Sequence, residues 1–362
     1  MTSHLAHHRI VAIPGDGIGN EVIPASLRVL SALAAAEPGL ALEIETFLWG
    51  SEFFRRTGRM MPADGVEKLR EFDAILFGAV GDPNIPDHIT LWGLRLAICQ
   101  GLDQYANVRP TRILPGIKSP LAGIGAGDLD WVIVRENSEG EYAGVGGRTH
   151  RGLPEEVGLD VSVFTRTGVG RIMRFAFELA RSRPRKLLTL VTKSNAQRHG
   201  MVMWDDIFEE TKQAYPEVAT DKMLVDAMTV RMVRDPKSLD TIVATNLHAD
   251  ILSDLAAALS GSIGIAPTAN LDPERRGPSM FEPIHGSGFD IAGKGIANPL
   301  GSLWSGAMML DHLGEARAAA RLMAAIEHVT ASGNVLPRDL GGNASTEQVA
   351  DAVIAAIHGA NA

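Results

Sequence analysis

The chain has 362 residues, enough to bury a large core in two domains or in one elaborated α/β unit. Its formal charge of −9, from 34 Lys+Arg against 43 Asp+Glu, argues against nucleic acid as a partner, because polyanion binding depends on lysine and arginine releasing counterions. A single cysteine, Cys99, excludes an intramolecular disulfide framework and fits the cytoplasm, and no apolar run approaches the roughly 18 residues that span a bilayer.

In chain order, His4, His7 and His8 read as a solvated tail rather than a metal chelate. A strand is predicted over 9–13, a helix over 20–36 and a second strand over 42–48. Pro62 near a first turn predicts a helix over 62–72, and the continuous apolar run 74–79 predicts a buried parallel strand. Strands over 186–192, 222–226 and 241–245, with amphipathic segments between them, complete an α/β pattern. No Gly/Ser or Pro-rich linker and no internal repeat marks a domain boundary.

Two acids carry the strongest local signal. In Asn246-Leu247-His248-Ala249-Asp250-Ile251-Leu252-Ser253-Asp254, Asp250 and Asp254 stand four residues apart and share one face of a predicted helix. Such a pair suits a solvated face or a hard divalent cation held between carboxylates, and the apolar neighbours Ile251, Leu252 and Leu255, with Asp226 after a strand, weaken the solvated-face reading without excluding it. Gly15-Asp16-Gly17-Ile18-Gly19 follows the first strand without G-x-G-x-x-G spacing, so a tight glycine turn explains it as well as a dinucleotide loop does. If Gly286-Ser287-Gly288 serves the same ligand, the chain must return to its first domain near its end. Lys193 ends a strand where open sheets place ligands, and Tyr142 fits either a site or a core; neither decides alone.

Ile13-Pro14-Gly15-Asp16-Gly17-Ile18-Gly19, Leu94-Arg95, Ala106-Asn107-Val108-Arg109-Pro110, Val134-Arg135-Glu136-Asn137 with Tyr142, Lys193-Ser194-Asn195 and Glu282-Pro283-Ile284-His285-Gly286-Ser287 occur in that order. Together they resemble the isocitrate/isopropylmalate dehydrogenase family of decarboxylating oxidoreductases nearly end to end. The likeness is strongest to its tartrate and D-malate branch through Thr90-Leu91-Trp92-Gly93-Leu94-Arg95 and Val191 to His199.

The resemblance implies an α/β fold of two domains, an open sheet flanked by helices and not a standard Rossmann fold. Residues 1–104 and 264–362 are expected to form a cofactor-binding domain, and 105–263 a dimerisation and metal/substrate domain. It also implies a homodimer with shared active sites, NAD, Mn²⁺ or Mg²⁺, and K⁺ as an optional monovalent ion. Asp250 and Asp254 of one subunit would hold the metal with Asp226 of the other, and Lys193 would cross over as the base, with Tyr142 as the proton donor. Arg95, Arg109 and Arg135 would bind the β-carboxylate. Ile13, His285, Gly286, Ser287, Asp290 and Asn298 would bind the cofactor, with Asp290 selecting NAD over NADP because an acid repels a 2′-phosphate. This chain has Ala249 where many relatives carry glycine before the first metal aspartate, and His248 beside it fits a role behind the ligands.

The substrate is expected to be a small 2-hydroxy dicarboxylate, D-malate or a tartrate isomer including meso-tartrate. His88, Leu91 and Trp92 stand where the family reads the C3 substituent. Ile89 and Leu91 offer no hydrogen bond to a third carboxylate, and Trp92 fills space an isopropyl group requires. The alternatives are a 3-isopropylmalate or isocitrate dehydrogenase, and a binding protein that has kept the fold without the chemistry.

Overall fold

The computed structural model describes residues 6–359, which fall into two compact units. Among these residues the strands, in chain order, are β1 (Ala6–Gly15), β2 (Leu40–Thr46), β3 (Ala74–Ala79), β4 (Ala106–Arg112), β5 (Asp130–Glu136), β6 (Gly140–Thr149), β7 (Val157–Val163), β8 (Leu187–Thr192), β9 (Ala219–Leu224), β10 (Thr241–Ala244), β11 (Pro267–Leu271) and β12 (Ser279–Pro283).

The first unit contains the residues up to 104, 112–128 and those from 257 onward. Its strands stand in the order β2, β1, β3, β12, β11, parallel except for the antiparallel pair β11 and β12. The late strand β12 lies in register beside the early strand β3, Met280 opposite Ile75. This brings the end of the chain back to its beginning and departs from the strand order of a standard dinucleotide fold. The run 74–79 is buried at every position, as a strand covered on both faces must be. The helices Gly19–Ala36, Leu300–His312, Ala316–Ser332 and Thr346–Gly359 bury their apolar stripes around this sheet.

Several local expectations need correction. β1 begins at Ala6, so His7 and His8 are strand residues and not a solvated tail; His4 lies outside the described residues. The backbone of Ala6, His7 and His8 pairs with Leu40, Ala41 and Leu42, and the imidazoles of His7 and His8 meet Glu43 at 3.3 Å and Glu315 at 3.0 Å. The second strand ends at Thr46. The helix expected over 62–72 shrinks to Gly65–Leu69, because the Gly65 N–H donates to the Pro62 carbonyl in a turn, and glycine is a poor helix former.

The second unit, 105–111 and 129–256, orders its strands β4, β5, β10, β8, β9, and β5, β10, β8 and β9 pair in parallel. The strand expected over 222–226 ends at Leu224, and Asp226 sits in the first turn of the helix Val225–Arg234. Because Thr192 registers with Leu224, Lys193 and Asp226 emerge side by side from neighbouring strand ends. A separate antiparallel ribbon, β6 with β7, leaves Val145, Val157, Leu159 and Val161 exposed. Among the described residues no helix is long and apolar enough to cross a membrane.

Candidate active site

In the second unit the helix Asn246–Ser260 carries both acids, one turn apart on one face. β4 and β5 deliver Arg109 and Arg135, both buried. Their Nη1 groups converge on Asp250 Oδ1, Arg109 at 3.2 Å and Arg135 in direct contact. Arg109 Nη1 also donates to Ser253 Oγ. Tyr142, from β6, lies under the Arg135 guanidinium at 5.3 Å and places its hydroxyl 3.5 Å from Asp250 Oδ2. Burial raises the Asp254 pKa, and the negative charge of Asp250 adds to the rise, against the nearby arginines.

A second group lies at the ends of β8 and β9, where Lys193 Nζ contacts Asp226 Oδ1. The lysine holds the Asp226 pKa down, although that carboxylate is largely exposed. Among the described residues, no three His, Cys, Asp or Glu side chains come together as a ready metal cage. His248 is buried with its Nδ1 lacking a hydrogen-bond partner; burial pushes its pKa down, and the charges of Glu141 and Lys193 act on it in opposite directions.

In the first unit Arg95 opens the helix Arg95–Gly101 and is held from one edge. Nε donates to Glu282 Oε1 at 2.8 Å, and Nη2 reaches the same oxygen at 2.7 Å and Asn270 Oδ1 at 3.2 Å. Just before it, His88, Leu91 and Trp92 occupy positions i, i+3 and i+4 of the helix Asp87–Gly93. His88 is exposed and the other two are half-buried, so this face is neither core nor fully solvated.

The two glycine patches do meet. Gly15 and Gly17 take positive φ of 71° and 52°, and the Ile18 N–H donates to the Ser287 carbonyl at 2.7 Å. Asp16 pins the turn by accepting from the Ser51 N–H at 2.7 Å, the Ser51 hydroxyl at 2.8 Å and the Gly81 N–H at 2.9 Å. Beside this junction a cavity of about 390 Å³ is lined by Ile18, Gly264, His285, Gly286, Asn298 and Asp339, among others. His285 Nδ1 is 3.0 Å from the Gly286 carbonyl, while its buried Nε2 has no partner, and burial pushes its pKa down. A side chain at Gly286 would meet no atom within 4 Å, leaving room for a ligand against the backbone.

Ile13 is not in this cavity: its side chain is fully buried in the core with Val11, Trp49 and Phe77. Strand alternation sends it inward, and Ile18, the one aliphatic residue within the glycine turn, lines the cavity in its place. Asp339 was also missed; it accepts from Asn298 Nδ2 at 2.9 Å and from Ser262, and no local sequence pattern signals it. Asp290 is exposed, and its carbonyl accepts from Lys294 Nζ at 2.7 Å.

Residues 9–353 match the family described as isocitrate/isopropylmalate dehydrogenase. A probable tartrate dehydrogenase/decarboxylase of Agrobacterium vitis is 68% identical, with 99% of each chain covered. The D-malate dehydrogenase [decarboxylating] of Escherichia coli (strain K12) is 53% identical over 95% of this chain and 97% of its own. Among solved structures, isocitrate dehydrogenase from Methylococcus capsulatus superposes with a TM-score of 0.88 at 34% identity, covering 97% of this chain and 99% of that one.

Proposed function

Because this chain belongs to the isocitrate/isopropylmalate dehydrogenase family, we propose that it oxidises and decarboxylates a small 2-hydroxy dicarboxylate, D-malate or a tartrate isomer, with NAD and a divalent cation. The observation that carries the reading is the convergence of Arg109, Arg135 and Tyr142 on Asp250, one turn before Asp254 on the same helix, which assembles anion binding, cation binding and a proton donor in one place. High identity to relatives named for tartrate and D-malate supports the substrate class.

The residues fit both absent groups. Two carboxylates one turn apart, with a third at Asp226, are the oxygen donors that Mg²⁺ or Mn²⁺ takes. The cavity beside Ile18 and His285, with an unpartnered ring nitrogen and open space at Gly286, fits an adenosine end, and Asp290 favours NAD over NADP. When bound, the cation supplies Lewis acidity at the 2-oxygen and NAD supplies the hydride acceptor.

This chain's own residues do the rest. Arg95, Arg109 and Arg135 hold the β-carboxylate by charge-assisted bonds. Lys193 Nζ takes the proton of the 2-hydroxyl. After CO₂ leaves, the Tyr142 hydroxyl returns a proton to C3 of the product. His88, Leu91 and Trp92 face C3 and exclude bulky substituents.

The reading includes a homodimer with shared sites, the first unit serving the cofactor. In one chain the acids fall into two groups, Asp226 beside Lys193 and Asp250 beside Asp254, as a site divided between copies requires. The exposed valines and leucine of the β6–β7 ribbon, with Val230, Val233 and Ile251, offer the apolar surface a second copy would cover.

The test is a substrate panel with NAD⁺ and Mn²⁺ in which NADH and CO₂ are measured separately. D-malate or a tartrate isomer should give the highest kcat/KM, and all activity should vanish in chelator. Higher kcat/KM with 3-isopropylmalate or isocitrate, or full activity in chelator, would defeat the proposal.

A further inference from the structure

Lys193 stands at the root of an exposed turn. Its carbonyl accepts from the N–H groups of Ala196 and Gln197, both at 2.9 Å, so the chain folds over directly after β8, and residues 195–199 are exposed. The tip of the lysine meets Asp226. Its backbone is tied down next door, at Ser194, whose N–H donates back to Thr192 Oγ1 at 3.3 Å and whose hydroxyl donates to Asp205 Oδ2 at 2.8 Å. Asp205 belongs to the helix Gly200–Lys212, which is fixed by buried Trp204, Ile207 and Phe208. The same carboxylate oxygen accepts from Lys222 Nζ, on β9, at 3.1 Å, so Asp205 joins the turn, the helix and the neighbouring strand. Its Oδ1 is buried without a hydrogen-bond partner, and its bonding therefore runs through Oδ2.

We propose that Asp205, acting through Ser194, is a positioning residue for Lys193: it fixes the turn so that Nζ is delivered at the distance proton transfer needs. The inference rests on the reading that Lys193 takes the proton of the 2-hydroxyl. A general base works within about 2.6–3.2 Å of the group it serves, and a misplacement of about 1 Å costs on the order of a hundredfold in rate. Strand pairing ends where Thr192 stands opposite Leu224, so from Lys193 onward the ladder no longer holds the chain and the bond from Ser194 to Asp205 takes over. The Lys222 ammonium is half-exposed, so its ion pair with Asp205 contributes little by itself; the directional bond to Ser194 is what places the lysine. Ser194→Ala removes that bond while leaving the base, the acids and every charge in the unit in place.

The experiment measures the first-turnover rate of NADH formation from D-malate or meso-tartrate, with NAD⁺ and Mn²⁺, in Ser194→Ala, Ser194→Thr, Asp205→Ala, Asp205→Asn, the Ser194→Ala/Asp205→Ala double variant and Lys193→Ala. The concentration dependence of that rate gives substrate affinity, and separate titrations give the affinities for Mn²⁺ and NADH. Ser194→Ala and Asp205→Ala should each slow NADH formation roughly ten- to a hundredfold, with all three affinities within about twofold of the parent. The double variant should be no slower than Asp205→Ala, because both changes break one bond, whereas independent defects multiply. Ser194→Thr keeps the hydroxyl and Asp205→Asn keeps an acceptor, so both should restore most of the rate. Melting temperatures identify any variant that fails to fold, and Ser194→Ala, the milder change, carries the test if Asp205→Ala does not fold. If the parent turns over neither acid, or Lys193→Ala keeps the parental rate, the functional reading itself fails and takes this inference with it. If Lys193→Ala is slow while either folded alanine variant runs at the parental rate, or if their losses multiply in the double variant or come with weakened affinities, positioning through Ser194 alone is overturned.

Discussion

Gly17→Ala tests the junction of the two glycine patches. Gly17 has φ of 52°, and a methyl group there would lie 1.9 Å from the Ser287 carbonyl oxygen and 2.8 Å from its carbon. Both are backbone atoms, so neither can swing aside. Left-handed backbone costs an alanine about 1–2 kcal/mol, and parting the strands of chain breaks the Ile18 to Ser287 hydrogen bond, a further loss of about 1 kcal/mol. The sum, about 2–3 kcal/mol, falls on the conformation that shapes the cavity beside Ile18, so NADH affinity should drop roughly thirty- to a hundredfold. Fluorescence titration of NADH gives the affinity, and urea unfolding at fixed protein concentration gives the stability. Gly286→Ala is the companion, because its methyl meets nothing within 4 Å; stability should stay within about 0.5 kcal/mol of the parent while NADH binding weakens. A Gly17→Ala protein that unfolds and binds NADH like the parent would refute the reasoning.

Mixing inactive Lys193→Ala and Asp250→Asn subunits should restore part of the activity, since one of the two sites in a mixed dimer escapes both lesions; no recovery after verified subunit exchange counts against a shared site. Glu282→Ala, which leaves the buried Arg95 without its carboxylate, should cost about 3–5 kcal/mol in urea unfolding, whereas Glu282→Gln keeps an acceptor and should cost clearly less; equal losses would show that charge and acceptor are not what matters there. His312 should make the fold acid-sensitive. Burial, and then the Arg275 charge, lower its pKa to about 4, with Asp311 and Asp272 opposing. An unfolded histidine gains its proton near pH ~6.5 and the folded one only near 4, so stability is complete above 6.5 and falls as pH drops from 6.5 towards 4. After solvent screening the loss is on the order of 1–2 kcal/mol, and unfolding midpoints at pH 7 and pH 5 should converge in His312→Phe; an undiminished pH dependence in that variant assigns the loss to other groups.

The apolar run 74–79 was legible because a strand buried on both faces has no other way to satisfy six consecutive apolar or small residues. The reach of β1 to Ala6 was not, because polar His7 and His8 are stabilised by Glu43 and Glu315, which come from elsewhere in the chain. The acid pair at 250 and 254 could be read from helical spacing alone, whereas Asp226 looked like the end of a strand and turned out to start a helix. Ile13 and Ile18 flank the same turn, and only the direction of each side chain separates a core residue from one that lines the cavity. Asn107 and Asn246 lay within motifs already recognised, but no spacing rule predicts that an amide oxygen will meet Nε of an arginine on β4 or β5.

The pairing of β12 with β3, and of Ser287 with Ile18, also bears on synthesis. In the second unit β5, β10, β8 and β9 have one another as sheet partners once residues 129–256 have left the ribosome. The first unit must wait, its β1, β2 and β3 edge unpaired, until β12 emerges; loop closure over so long a separation is slow. An exposed parallel edge on a nascent chain invites pairing with a neighbour, so the interval between the two halves of this unit is when the protein most needs a chaperone.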